Sequence, residues 1–370
     1  MIRQSHESRP NPRPPGRQVD LVALAVTLVV GGLGGLAAHA LGLPLGYLLG
    51  SLLVTGGIAA AGFRPFGKPV TLPARLRFSF VPVIGVAIGG AFTPEVARQA
   101  IGWGPSLLAL CLFVPLAHAL GYALFRVGGL SARDALFGAI PGGLIESVQL
   151  AEEAGADVRL VTLLQTLRLI GTIIAVPILF RLLTGHAVGS AAGVQITGAS
   201  VTLGLSGILI LIATGLAGVA AGRLLRLPGW IITGPLLASA AAHGLGLVEG
   251  VPPGWLIAVT QVILGTGLGA RFTGADPAAL RRAASLALVN GAFALLLALA
   301  FALILHALVG EPVAAVFLAF APGGLAEMSL VALSLQISVI YVTAHHVLRI
   351  VLAVTLARLA ALWVGVARFP

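Results

Sequence analysis

Apolar runs of about twenty residues recur along this chain of 370 residues, and they restrict its fold more than any other feature. Charged residues make up 9% of the sequence and hydrophobic residues 58%, whereas soluble domains carry roughly a quarter charged residues. A helix needs about twenty apolar residues to cross the hydrocarbon core of a bilayer. The sequence therefore predicts an all-α, polytopic membrane protein with about 10–12 transmembrane helices.

One short motif interrupts two of these runs. It reads Pro141-Gly142-Gly143-Leu144-Ile145-Glu146 and returns as Pro322-Gly323-Gly324-Leu325-Ala326-Glu327. An arginine follows each copy, Arg168 and Arg349, and 11 of the 28 positions from Pro to Arg are identical without a gap. Residues 43–50 are also similar to residues 227–234, at an offset of 184 residues, compared with 181 residues for the motif. The nearly constant offset predicts that a whole half of the chain is duplicated.

The duplication divides the chain into four predicted segments. Residues 20–183 and 201–370 form two homologous membrane repeats, residues 184–200 a linker, and residues 1–19 a disordered cytoplasmic tail. Basic loops follow the second and fourth apolar runs of the first repeat, but the first and third runs of the second. The positive-inside rule then places the repeats in opposite orientations, which is typical of secondary transporters. Inversion needs an odd number of crossings, so we expect the short third run or the Pro-Gly-Gly segment of each repeat not to cross.

A Pro-Gly-Gly sequence inside a membrane span breaks the helix, because Pro lacks a donor and Gly adopts unusual dihedral angles. Freed backbone groups cost several kcal/mol in hydrocarbon, so such breaks persist only beside protein or a water-filled cavity. The helix that restarts after each break presents N–H groups and the positive end of its dipole. The motif therefore predicts two discontinuous helices at a cavity suited to an anion. A kink that only helps packing stays open as the alternative.

Ionisable side chains inside apolar runs are costly and mark functional sites. Here they are Glu146 and Glu327, with Arg168 and Arg349 near mid-bilayer depth. Two alternatives stay open for them. Either the glutamates pair with the arginines and hold the halves together, or the arginines bind an anionic group bidentately while the glutamates gate the site or exchange protons.

The second polar feature is a stripe along each arginine helix. Gln165 and Arg168 are three residues apart, and so are His346 and Arg349, which places each pair broadly on one helix face. The stripes match between the halves and are expected to face the same interface. The predicted substrate-binding residues are Pro141, Gly142, Gly143, Glu146, Gln165, Arg168, Pro322, Gly323, Gly324, Glu327, His346 and Arg349.

At the paired motifs with their trailing arginines, the chain resembles the AbrB-duplication family of bacterial inner-membrane proteins. The resemblance covers nearly everything after residue 20, and the family pattern falls on the twelve residues just named. An acidic residue expected shortly before the last helix is present as Asp157, and its counterpart in the second half is Ser338. The resemblance implies a multi-pass protein of the bacterial inner membrane. Family members carry the labels "AbrB family transcriptional regulator" and "putative ammonia monooxygenase".

Three functions from different classes follow. The broken helices with buried Arg and Glu favour a secondary transporter or exporter of a small anionic solute, coupled to protons or sodium, and a homodimer is expected. The first label suggests a regulator of gene expression; no segment is long enough for a DNA-reading module, so the effect would be indirect, without direct nucleic-acid contact. The second label suggests a membrane oxygenase, but copper or iron needs convergent ligands, and the adjacent His345 and His346 point to different helix faces. We predict that the chain is not an enzyme and needs no cofactor or metal.

Overall fold

The computed structural model describes residues 20–92, 98, 100–184 and 204–366, and this part of the chain contains fourteen α-helices and no strand. The predicted tail and nearly all of the predicted linker lie outside the described residues. The all-α prediction is confirmed. The helices are α1 Leu21–Ala40, α2 Gly46–Ala60, α3 Ala74–Gly89, α4 Gly104–Val127, α5 Ala132–Gly138, α6 Leu144–Glu153, α7 Val158–Thr184, α8 Leu205–Leu224, α9 Trp230–Gly244, α10 Gly254–Gly269, α11 Pro277–Val309, α12 Val313–Phe320, α13 Leu325–Ser334 and α14 Val339–Trp363.

Seven of these helices are long and apolar enough to cross a membrane, namely α1, α4, α7, α8, α10, α11 and α14. The architecture is therefore that of a polytopic membrane protein. Helices α2 and α13 are also apolar but shorter. The 15 residues of α2 span about 22 Å, against a hydrocarbon core of about 30 Å. That some of the shorter helices also cross the membrane, and bring the number of crossings to 10–12, stays a prediction.

Both Pro-Gly-Gly motifs interrupt a helix, as the sequence predicts. The first lies between α5 and α6, and the second lies between α12 and α13. The two breaks differ in backbone conformation, because Gly143 is left-handed with φ of 65° whereas Gly324 is extended with φ of −75°. Only the first break therefore requires a glycine at the third motif position for its dihedral angles.

The helices pack into two bundles. The first bundle contains α1–α3 and α8–α10, and its packing is reciprocal, since α2 lies against α10 and α3 lies against α9. The second bundle contains α4–α7 and α11–α14, with both broken helices. Among the described residues, the main contacts between the bundles are those of α3 with α13 and α14. The broken helices thus lie together in one bundle, which meets the other bundle mainly at α3.

Glycines allow the closest helix crossings of the first bundle. A Cβ atom on Gly34 in α1 would lie 2.7 Å from the carbonyl oxygen of Gly50 in α2. A Cβ atom on Gly218 in α8 would lie 2.5 Å from Cα of Pro235 in α9. In a membrane, where apolar burial does not favour one helix neighbour over lipid, such close backbone approach supplies much of the packing energy. The corresponding pairs α1–α2 and α8–α9 are therefore joined in the same way.

Candidate functional site: two broken helices and their arginines

Two side chains of α7 donate hydrogen bonds to the backbone carbonyl groups that the first break exposes. The Nε2 atom of Gln165 lies 3.0, 3.0 and 3.2 Å from the carbonyl oxygens of Phe137, Gly138 and Ile140. Arg168 donates from one terminal nitrogen to the Ile140 oxygen at 2.6 Å, and from the other to Oε1 of Gln165 at 2.8 Å. These carbonyls lie at the end of α5 and just beyond it, where helical partners are lacking. The guanidinium therefore also stabilises the negative end of the α5 dipole.

Two side chains of α14 support the second break in the same way. Nε2 of His346 lies 3.0 Å from the carbonyl oxygen of Leu318, and Arg349 donates to that of Gly323 at 2.8 Å. A terminal nitrogen of Arg349 lies 3.3 Å from Nδ1 of His346. A guanidinium can only donate, so Nδ1 is the acceptor and Nε2 carries the imidazole proton. His346 is therefore neutral here, and it has the two hydrogen-bonding roles that Gln165 has in the first half.

The glutamate of each motif lies in the first turn of the helix that follows the break. Glu146 is the third residue of α6, and Glu327 is the third residue of α13. No side chain caps the N-terminus of either helix at Gly143 or Gly324. Each carboxylate instead turns back towards that glycine, where an added Cβ atom would touch it. A carboxylate in the first turn is stabilised by the positive end of the helix dipole.

The alternative in which the glutamates form salt bridges with the arginines is wrong. Among the described residues, none of these four side chains forms an ion pair, and the ion pair that is present joins Lys68 to Asp20 at 2.8 Å. The physical reason is the direction of the chain through each break. The arginine lies at the carbonyl side of the gap and the glutamate at the N–H side, so each charge interacts with backbone of opposite partial charge.

Each break lies against the arginine helix of the other half. A Cβ atom on Gly142 would lie 3.3 Å from Nε of Arg349, and one on Gly324 would lie 3.3 Å from a methyl group of Leu169. The charges of Arg168 and Arg349 act on each other. Nε of both arginines is buried without a hydrogen-bond partner in the described part of the chain. The structure therefore brings the two motifs together, while substrate binding by the twelve residues stays a prediction.

Two further arginines belong to this region, and sequence reasoning treated both as loop charges. The charges of Arg77 in α3 and Arg271 after α10 both act on the Glu327 carboxylate. Arg271 also donates to Oγ1 of Thr166 in α7 at 3.0 Å. These contacts join the first bundle to the second. The available signal was position, since both arginines directly adjoin apolar runs, but that signal does not distinguish a loop charge from an interfacial one.

Asp157 and Ser338, which occupy corresponding positions in the two halves, have the same structural role. Oδ1 of Asp157 accepts a hydrogen bond from the backbone N–H of Leu160 at 3.0 Å, at the start of α7. Oγ of Ser338 accepts from the N–H of Tyr341 at 3.3 Å, at the start of α14. Both residues are N-caps, for which Asp and Ser are about equally favourable. The substitution therefore preserves the local structure of both arginine helices.

Comparison with known proteins places this arrangement in a family. A family model described as "Transition state regulatory protein AbrB" matches residues 57–365. The chain belongs to the AbrB family. It is 27% identical over 346 residues to the Bacillus subtilis (strain 168) protein named "Uncharacterized protein YhjN", covering 89% of this chain and 90% of the relative. It is 29% identical over 251 residues to "Putative regulator AbrB" of Escherichia coli (strain K12), covering 67% of this chain and 69% of the relative.

Proposed function

We propose that this AbrB-family protein is a secondary transporter of a small anionic solute, which binds where the two broken helices meet. The observation that carries the proposal is the state of the two arginines. Arg168 and Arg349 are 5% and 1% exposed, they lack a carboxylate partner among the described residues, and the Nε–H of each is unsatisfied. A buried cation that is held only by neutral hydrogen-bond acceptors keeps its full charge in a poorly hydrated site, which is unfavourable. An anionic group between the guanidinium groups would accept both hydrogen bonds and offset both charges.

The net charge of the region supports the same solute class. Arg77 and Arg271 act on Glu327 from the first bundle, and they add two positive charges to those of Arg168 and Arg349. Four arginines and two motif glutamates leave a net charge of +2 when all six are ionised. A positively charged, poorly hydrated region concentrates anions. The two helix N-termini without a side-chain cap offer additional N–H donors to a bound anion.

The fold supports transport rather than static binding. The reciprocal packing of α2 with α10 and of α3 with α9 fits an inverted duplication, in which the site lies at the interface of the repeats. The bundle that holds the broken helices meets the other bundle mainly at α3. Contacts concentrated on one helix would let this bundle move as a body, which alternating access requires. We place the protein in the bacterial inner membrane, expect a homodimer, and expect a proton or sodium gradient to drive the solute.

Solute counterflow in proteoliposomes tests this proposal. Purified protein is screened with labelled small carboxylates, phosphate and sulfate, and any solute that is exchanged is then tested in Arg168→Lys and Arg349→Lys. Lysine keeps the charge but loses the planar, bidentate donor geometry, so we expect flux to fall on the order of tenfold or more. Arg159→Lys, an exposed position on the same helix as Arg168, is the matched control and should transport normally. Full flux in both site variants would refute the proposed site.

The names of the relatives raise a second possibility, regulation of gene expression. The name "Putative regulator AbrB" describes the Escherichia coli relative, and nothing in the described residues of this chain favours direct contact with nucleic acid. A regulatory effect would then follow from the solute or from a partner protein. The oxygenase alternative lacks a structural basis as well, because the described residues contain no group of three or more His, Cys, Asp or Glu side chains that could hold a metal ion.

A further inference from the structure

The segment that precedes α3 lies below one membrane surface. Helix α1 is long enough to cross a bilayer, so its N-cap Asp20, which bonds Lys68 at 2.8 Å, marks that surface. Three residues after Lys68, the backbone N–H of Thr71 donates to Oγ1 of Thr27 at 3.0 Å. Thr27 lies six residues after Leu21, the first residue of α1, which corresponds to about 9 Å along the helix axis. The chain has therefore entered the membrane before α3 begins.

The backbone at this depth is irregular and borders water. Residues 68–73 form neither helix nor strand, and Ala74 and Arg75, the first residues of α3, are exposed. Oγ1 of Thr273, which lies just beyond α10, donates to the carbonyl oxygen of Val70 at 2.6 Å. Irregular backbone does not face lipid inside a membrane, and it persists only against protein or a water-filled cavity. The exposed part of this segment therefore lines a recess filled with water.

Two arginines border the recess. Arg77 lies in the first turn of α3, and Arg271 lies two residues before Thr273. A Cβ atom on Gly267 would lie 3.1 Å from Cδ of Arg77. Gly267 precedes Arg271 by four residues, about one helical turn, so both lie broadly on one side of α10. The two guanidinium groups therefore lie on the same side of the recess.

Both guanidinium groups keep unpaired N–H donors. Among the described residues, Arg77 forms no hydrogen bond or ion pair, and Arg271 donates only to Oγ1 of Thr166 at 3.0 Å. Both arginines are half-buried. In contrast to Nε of Arg168 and Arg349, none of their nitrogens is both buried and unpaired in the described part of the chain. Their remaining N–H groups are therefore open to an anion from the recess.

The recess ends beside the second broken helix. Thr166, which accepts from Arg271, is buried in α7. Leu169 follows three residues later, on the same side of α7, and its methyl group would lie 3.3 Å from a Cβ atom on Gly324. Gly324 is the N-terminal residue of α13, which has no side-chain cap. An anion held by the two arginines would therefore lie next to the broken helices that carry the proposed transport site.

Helix α10 corresponds to α3 in the other half of the chain. Both helices have 16 residues and follow a proline. A Cβ atom on Gly85 in α3 would lie 2.5 Å from the carbonyl oxygen of Ile232, and one on Gly265 in α10 would lie 2.3 Å from that of Leu48. The two helices therefore cross α9 and α2 at corresponding positions, 180 residues apart.

This correspondence shows that the positive charges belong to one side only. Ile257 occupies in α10 the position that Arg77 has in α3, and Ala91 occupies the position of Arg271. The matching region before α10 therefore lacks both arginines. Since an anion is attracted only where the positive charge is placed, the two regions differ in their affinity for anions although their backbones are alike.

We propose that Arg77 and Arg271 form an outer binding site for the small anionic solute, which enters through the recess on the membrane face where α1 begins. This inference rests on the proposed transport function, and it adds the place of entry. The Glu327 carboxylate, on which both charges act, leaves the outer site with a net charge of +1. A positive site in a narrow aqueous recess concentrates anions and speeds their binding. The arginines of the broken helices then receive the solute from it.

Thiol labelling tests the outer site without reference to transport. The exposed Cys111 is replaced by alanine, and a cysteine is introduced by Ala74→Cys or, as the matched control, by Gly254→Cys at the first residue of α10. The full-length protein is kept in lipid nanodiscs, which leave both faces open. Two membrane-impermeant methanethiosulfonates of similar size are compared, one with a sulfonate group and one with a quaternary ammonium group. The ratio of their rates cancels differences in exposure between the two positions.

The sulfonate reagent should be favoured at Ala74→Cys over Gly254→Cys by about fivefold or more in low-salt buffer, because Arg77 lies one helical turn away. Raised salt should reduce this preference. Arg77→Gln and Arg271→Gln should each lower it at least about twofold, whereas Arg64→Gln, at an exposed loop position, should leave it unchanged. The comparison of the two cysteine positions remains decisive if either site variant fails to fold.

Three labelling results would overturn the outer site. Absence of reaction at Ala74→Cys with both reagents would show that no water-filled recess is present. Equal rate ratios at the two cysteine positions would show that the recess does not favour anions. A ratio that is unchanged in both Arg77→Gln and Arg271→Gln would show that these arginines do not hold them.

Counterflow measurements separate the entry role from the proposed function. Arg77→Gln should raise the solute concentration for half-maximal flux several-fold at low ionic strength, with a smaller change in the maximal rate, since the final site keeps both of its arginines. An unchanged half-maximal concentration, together with the expected labelling, would overturn entry through the recess alone. Absence of any anion flux in the wild-type protein would count against the proposed transport function, while the labelling ratios would still decide whether the recess binds anions.

Discussion

Replacing Gln165 with leucine tests whether the polar stripe supports the broken helix. The amide Nε2 has two hydrogens and lies within 3.2 Å of the carbonyl oxygens of Phe137, Gly138 and Ile140, so it satisfies two of them at a time. Its Oε1 accepts from Arg168 at 2.8 Å. Each lost bond costs about 1 kcal/mol net, and more where a buried group is left unpaired. The three lost bonds predict that Gln165→Leu is destabilised by ~3 kcal/mol.

The assay is thermal unfolding in detergent, followed by circular dichroism. At about 2 °C per kcal/mol for a large domain, the variant should unfold roughly 6 °C lower. Gln149→Leu is the matched control, because its amide bonds Glu153 at 3.0 Å on an exposed face of α6, an arrangement that contributes about 0.5 kcal/mol or less. Equal unfolding temperatures for the two variants would show that Gln165 does not support the break.

Three further predictions concern other parts of the structure. His346→Gln should retain wild-type stability, because glutamine can donate to the Leu318 carbonyl and accept from the neighbouring guanidinium. His346→Leu loses both hydrogen bonds, so its free energy of unfolding should fall by about 2 kcal/mol in the same assay. Gly50→Ala should cost about 1–3 kcal/mol, because its Cβ atom would overlap the backbone of α1, while Gly57→Ala meets no atom within 4 Å and should unfold at or above the wild-type temperature. The hydrogen bond from Lys68 lowers the pKa of the Asp20 carboxyl below its ordinary 3.8. The stabilisation from this pair is therefore fully present above that ordinary value, and it is lost as the pH falls through the lowered pKa. The unfolding temperatures at pH 5 and pH 3 should therefore differ less in Asp20→Asn than in the wild-type protein.

The class of the protein and the positions of both breaks could be predicted because they depend on local chemistry. Apolar length fixes membrane spanning, and proline followed by two glycines interrupts a helix whatever surrounds it. The stripe of Gln165 and Arg168 was visible as a helical spacing, and its repetition at His346 and Arg349 pointed to a shared role. These features required no knowledge of the tertiary structure.

The partners of the charged residues could not be predicted, because they depend on how the chain passes through each gap. Sequence alone left a Glu–Arg salt bridge open, since both charges are buried and opposite. The structure shows that Arg168 contacts the carbonyl group of Ile140, 28 positions before it in the chain, whereas Glu146 lies in the turn on the other side of the gap. Arg77 and Arg271 were likewise recognised only once the two bundles were placed together, because their charges act on Glu327 from the other bundle.

Anion-dependent stabilisation of the purified protein tests the central claim most directly. Thermal unfolding is measured with a series of small carboxylates and oxyanions at constant ionic strength, in the wild-type protein and in Arg168→Lys and Arg349→Lys. A ligand at 100 times its dissociation constant stabilises the folded state by about 2.7 kcal/mol. The account predicts that at least one anion raises the unfolding temperature of the wild-type protein, and that both lysine variants lose this increase. An equal increase in all three proteins, or none with any anion of the series, would contradict it.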